Sequence, residues 1–223
     1  MVDSNLSWDS GYGWTYKYYF QSLEKFRDSA YAVLPLCEHE GFSGKKVLFL
    51  RHDVDFNIEA AFNLAQAEHA QGIRSSYYFR VNSAGYNLLS IQNLRKVLRI
   101  AEYGHEVSVH VDHGLSSDPD KDLMLSHSQI SAFETFTGLK VVGFSSHEPA
   151  RLGTIDPATR LRESLGLKYH AYDRKFTAEC KYISDSTKRW REKPFSEFVD
   201  EVDRLQVLIH PVWWYENLPQ ESY

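Results

Sequence analysis

The stretch "KVLFLRHDVDF", Lys46 to Phe56, runs from an apolar, strand-like segment straight into a guanidinium, an imidazole and two carboxylates. Charges clustered at the edge of a core must be paired or bound to something. A metal site, a catalytic pair and an ion-pair network that only steadies a loop all meet that condition. In an extended chain, side chains two residues apart share a face. Asp53 and Asp55 can therefore serve one site, while His52 points the other way and is read as structural.

Before this stretch, a helical pattern from Thr15 stops near Pro35, and the strand Lys46–His52 follows it. The next helix has Asn57 as N-cap and Gly72 as its stop. "RSSYYFRV" reads as a strand, then a helix ends at Gly104, "HEVSVHV" alternates as a strand and another helix ends at Gly138. "LKVVGFSSH" is the next strand. A less regular region from Glu148 to Lys181 holds a short helix near Pro157–Ser164. "KYISDS" reads as a strand, "PFSEFVDEVDR" as a helix and "LQVLIHP" as a last buried strand. Strand and helix alternate at least four times, which predicts βαβ units and a mostly parallel α/β sheet. No linker or internal repeat divides the chain, so a single domain over 1–223 is expected, with 1–44 as an N-terminal helical extension.

The length, 223 residues, suits one domain with a full core. Net charge is -5 and no run of Lys or Arg occurs, which argues against a nucleic-acid partner. The two cysteines, Cys37 and Cys180, are far apart in sequence, which excludes a zinc ribbon or a disulfide framework. The first residues lack a basic start and an apolar core, and no apolar run is long enough for a membrane span. A cytoplasmic location is therefore expected. Aromatic residues make up 14% of the chain, a surplus that suits either core packing or the lining of a sugar site.

In parallel α/β folds, functional groups gather at the carboxyl ends of strands. Those ends carry Arg51 to Asp55, then Arg80, then His110 to His113, then His147 and Glu148, then Asp185 and finally His210. Four of the six contain a histidine. Two imidazoles and a carboxylate from separate elements can hold a divalent cation with positions left open. A second carboxylate can act as a base and a further histidine as an acid.

The ordered segments "RHDVDF", "SSYYFR", "GHEVSVH", "SSHEP" and "LIHPVWW" resemble the polysaccharide deacetylase (NodB-homology, carbohydrate esterase) family, in a branch whose first motif is HDVD. The resemblance covers roughly Lys46 to Trp214 and implies a deformed (β/α) barrel of about seven parallel strands. It also implies metal-dependent removal of an acyl group, usually N-acetyl, from a sugar in surface-polysaccharide biosynthesis. Carried over by position, Asp53 resembles the general base, His210 the general acid, and Asp55 and His110 metal ligands. Arg51, Arg80, Asp185 and Trp190 are expected around the substrate or holding catalytic groups. The metal is expected to be Zn²⁺, with Co²⁺, Ni²⁺, Mn²⁺ or Fe²⁺ able to take the same set.

The chain departs from the family pattern in two places. A second metal histidine usually stands four residues after the first, where Gly114 stands here. His147 is the expected replacement, with His113 and Asp112 as alternatives. The third motif usually brings an arginine to the base, and "SSHEPAR" has Glu148 there, so Arg51 or Arg80 must do this. The remaining histidines, including His105, and Glu106 are expected to be structural, and "VWWY" to close the core. Two other functions are weighed. A sugar-binding relative without catalysis would be expected to have lost Asp53 or His210, and both are present. A DxD glycosyltransferase would leave the later histidines unexplained.

Overall fold

In this computed structural model, residues 13–153 and 155–217 are described. Helix α1 (Tyr16–Asp28) is capped by Thr15, whose hydroxyl accepts from the Tyr18 amide at 3.2 Å. A short strand β1 (Ala32–Leu34) leads to β2 (Val47–Val54), the extended segment read from the sequence, which is buried along its whole length. Helix α2 (Ile58–Ala70) begins where Asn57 accepts from the Ala60 amide at 3.0 Å. Then come β3 (Ser76–Phe79), α3 (Ile91–Glu102), β4 (Glu106–Val111), α4 (Pro119–Thr137) and β5 (Gly143–Ser146). The rest comprises α5 (Pro149–Leu152), α6 (Ile155–Leu165), β6 (Tyr169–His170), α7 (Arg174–Thr177), β7 (Lys181–Ser184) and β8 (Arg204–Ile209).

Every strand pairing is parallel, in the order β6-β5-β4-β3-β2-β8-β7, with β1 beside the first half of β2. The sheet curls into the deformed (β/α) barrel expected from the sequence. Its edge strands β6 and β7 are not hydrogen-bonded to each other.

Strand periodicity divides the buried residues into an inner and an outer layer. Inside the curl, Val47 and Phe49 of β2 pack with Tyr78, Tyr169 and Phe176. Outside it, Leu48 and Leu50 meet Leu23 and Phe26 of α1, together with Trp190 and Trp214. A second outer cluster joins Val54, Tyr77, Val109 and Phe144 to Ile58, Phe133 and Leu161 of the helices. Gly143 shows how tight the inner layer is, because a Cβ placed there would stand 2.3 Å from the Tyr169 ring.

Two sequence expectations change. The first helix ends at Asp28 rather than near Pro35, and its tail becomes β1. The helix expected over "PFSEFVDEVDR" is a single 3₁₀ turn, Phe195–Phe198. Val199 is extended (ψ 128°) and Asp200 is left-handed (φ 63°), so the helix cannot propagate, and the one turn suffices to bury Phe195 and Phe198. The N-terminal helix contributes Tyr19, Leu23 and Phe26 to the outer core. β1 and β6 are too short to leave a periodic signal. The expectation drawn from the first residues of the chain falls on 1–12, which lie outside the described residues.

Candidate active site

The same strand parity that fills the interior carries Arg51 and Asp53 of β2, His110 of β4 and Ser145 of β5 to the inner face near the strands' carboxyl ends. Arg51 is fully buried and grips Asp53 with both arms of its guanidinium, Nε to Oδ1 at 2.9 Å and Nη2 to Oδ2 at 2.6 Å. Bidentate pairing of this kind fixes both the position and the charge of a carboxylate. Burial alone would raise the pKa of Asp53, but Arg51, with help from His110 and His210, holds it below the usual carboxylate value.

Asp55 is the meeting point of three imidazoles. Its Oδ1 is 3.3 Å from His110 Nε2 and 3.8 Å from His147 Nε2, while its Oδ2 is 3.6 Å from His210 Nε2. Oδ1 is buried and has no hydrogen-bond partner among the described residues. Burial acts to raise the carboxyl pKa, yet contact with His110, His210 and His147 holds it well below the ordinary range.

Each histidine is oriented from behind. His147 Nδ1 stands 3.0 Å from Asp112 Oδ1, and Asp112 is gripped in turn by Arg80 through Nε at 3.1 Å and Nη2 at 2.9 Å. His210 Nδ1 is 2.6 Å from Asp185 Oδ1, and Asp185 also accepts from the Trp214 indole at 2.8 Å and from the His210 amide. Burial would lower the pKa of His210, but Asp185, then Asp53 and Asp55, raise it to about 9. His110 Nδ1 lies 3.0 Å from Ser145 Oγ, which receives Arg51 Nη2 at 2.5 Å and donates to Asp53 Oδ2 at 3.4 Å. With its own proton directed to Asp53, the hydroxyl accepts from His110 Nδ1–H.

The structure thus brings Asp53, Asp55, His110, His147 and His210 together. His113 turns away, bonded to Ser126 and Ser146 at 3.1 and 3.0 Å, and Asp112 is occupied by Arg80 and His147. Arg51, Asp185 and Trp190 stand behind the site rather than at its surface. Arg51 and Asp185 are wholly buried, and Trp190 is stacked on Trp14 at 5.8 Å in the outer core. Arg80, also expected near substrate, is engaged with Asp112. His52 points out of the curl, 2.8 Å from Glu68 and stacked on Tyr77. His105 and Glu106 are likewise held by internal hydrogen bonds. Sequence reading passed over Ser145. The signal that could have found it is parity, since it stands two residues before His147.

The donor chemistry suits a divalent cation. Donors bound tetrahedrally at about 2.0–2.1 Å stand about 3.4 Å apart, close to the 3.3 Å and 3.8 Å measured from Asp55 Oδ1. The orphaned Oδ1 lacks a partner that such an ion would supply. Among the described residues, no group of three or more His, Cys, Asp or Glu is arranged to hold a metal ion as it stands.

The sequence matches no family model and no curated protein significantly. Solved structures do share the fold. One is a mutant, with restored enzymatic activity, of a CE4-family pseudoenzyme from Bacillus anthracis, at 16% identity and TM-score 0.53, covering 76% of this chain and 58% of that one. The chain thus spans less than two thirds of that structure. Another is IcaB from Ammonifex degensii, at 14% identity and TM-score 0.52 over 69% of this chain and 74% of that one. A third is the catalytic domain of a peptidoglycan N-acetylglucosamine deacetylase from Eubacterium rectale, at 13% identity and TM-score 0.52 over 77% and 79%. The fold is that of the CE4 deacetylase structures.

Proposed function

We propose that this protein is a metal-dependent hydrolase that removes an acyl group, N-acetyl in the first instance, from a sugar. The observation that carries this reading is the convergence on Asp55 of His110, His147 and His210 from three other strand ends, beside the arginine-held Asp53. The fold shared with CE4 deacetylases supports it.

Asp55, His110 and His147 would hold the cation, for which Zn²⁺ fits the mixed donors and Co²⁺, Ni²⁺, Mn²⁺ or Fe²⁺ are alternatives. When bound, the ion supplies Lewis-acid polarisation of the acyl oxygen and acidifies water. Asp53, kept ionised and aimed by Arg51, takes a proton from the attacking water. His210, held by Asp185 through Nδ1, presents Nε2 to the departing nitrogen and gives it a proton. Ser145 ties the base to His110, so that both are placed by one hydroxyl.

The test is turnover of N-acetylated amino sugars by Asp53→Asn. Removing the base should lower kcat by about 10²–10⁴-fold while metal content stays unchanged. Retained turnover in that variant would contradict the assignment. Sugar binding with no turnover in the metal-loaded wild type would instead make the chain a non-catalytic relative.

A further inference from the structure

The gap between the sheet edges is closed by side chains rather than by backbone. Tyr172, just after β6, meets Tyr182 of β7 with ring centroids 5.9 Å apart in an edge-on contact. A cleft of ≈ 460 Å³ opens here, lined among others by Tyr172, Tyr182, Ser184, Ser186, Thr187 and Arg191. Its walls are one step from the catalytic cluster. Ser184 and Ser186 flank Asp185, which orients His210. Tyr172 lies against the Arg51 guanidinium, 4.4 Å from ring centroid to Cζ, and Arg51 grips Asp53. On the other side the lining includes Glu148, the residue after His147.

The segment 186–193, "STKRWREK", carries four cations and one carboxylate in a chain whose net charge is -5, and its Ser186, Thr187, Arg191 and Glu192 line the cleft. Several of these charges are occupied. Glu192 is paired with Lys181, Lys193 with Glu201, and Lys188 stands over the Tyr215 ring at 5.5 Å. Arg191, which lines the cleft, is exposed and forms no ion pair among the described residues. The segment also bends through two non-glycine residues in the left-handed region, Thr187 at φ 62° and Lys188 at φ 56°. Such conformations cost on the order of 1–3 kcal/mol each and persist where surrounding structure or a function requires them.

We propose that this cleft is a subsite for an anionic group, a carboxylate or a phosphate, on the acylated sugar or on the unit linked to it. Arg191 supplies a planar fork of donors matched to either anion. The Ser186 hydroxyl, which shares a hydrogen bond with Ser184, is a neutral donor, and the tyrosine rings give the sugar an apolar face to rest on. This inference rests on the sugar-deacylase reading and names the class of sugar it would take.

The test compares binding of N-acetylglucosamine, its 1-phosphate and an N-acetylated hexosaminuronic acid to the protein as purified, by titration calorimetry. At least one acidic sugar should bind tenfold or more tightly than the neutral one, and whichever gains identifies phosphate or carboxylate. Arg191→Ala should erase that advantage and Arg191→Lys should restore part of it. The advantage should also shrink as salt is raised. Equal binding of all three sugars, an advantage that survives in Arg191→Ala, or no binding of any of them overturns the subsite. The two readings fail separately. Turnover without a preference for acidic sugars rejects the subsite alone, whereas an Arg191-dependent preference without turnover on any sugar rejects the deacylase reading alone.

Discussion

Arg51 has no exposed surface, and a guanidinium can be kept so only if its charge is answered inside the protein. The answer is Asp53, two residues on, with Ser145 and the Tyr172 ring completing the surroundings. Arg51→Met would leave the buried Asp53 carboxylate without its guanidinium partner. Breaking a buried pair in this way costs about 3–5 kcal/mol, so urea denaturation of the variant should show a loss of that size. Arg51→Lys keeps a charge but not the fork, and should recover only part of the stability and of the turnover. Asp185 acts in the same way on its own neighbour. Asp185→Asn removes the anion behind His210 and the acceptor shared by the Trp214 indole. Turnover should fall by about 10²-fold or more, with metal content unaltered; unchanged turnover would show that His210 does not need this partner.

Among the strands and helices, those with a local cause were legible in the sequence. Asn57 caps α2, Gly104 and Gly138 adopt the left-handed region that ends α3 and α4, and β2 is apolar until its charged end. The candidate site was legible where strand parity decides it, which is why Asp53 and Asp55 were placed together. What depends on how elements dock was not legible. His113 faces outward to Ser126 because α4 lies over it, while His147 swings to Asp55 with Asp112 behind it. Nor does anything local show that Trp190 belongs to a tryptophan cluster with Trp14 and Trp214. Trp190→Ala should therefore cost about 3–5 kcal/mol of stability with little change in KM. A selective rise in KM would restore the substrate role expected from the sequence.

Taken across the protein, several histidines are buried in forms that resist protonation. Burial lowers the pKa of His113 from its ordinary 6.5 to about 4, and lowers those of His105 and His170 as well. A histidine whose folded pKa is depressed lets the unfolded chain take up its proton first. Its contribution to stability is present above the unfolded value and is lost as pH falls towards the folded one. For His113 alone the loss between roughly pH 7.5 and pH 5 is about 2 kcal/mol. Wild-type stability should therefore drop over that interval, and His113→Gln should drop by about 2 kcal/mol less. Equal pH slopes in the two proteins would remove His113 from the explanation.

Everything proposed for the site depends on Asp55 gathering imidazoles from separate strand ends to hold a cation. The direct measurement is metal content by mass spectrometry on protein purified without added metal and again after reconstitution, beside Asp55→Ala, His110→Ala and His147→Ala. The wild type should hold about one equivalent of a transition metal, consistent with one tetrahedral site, and all three variants should lose it. Wild-type protein that takes up no metal even after reconstitution, or variants that retain it, would contradict that assignment.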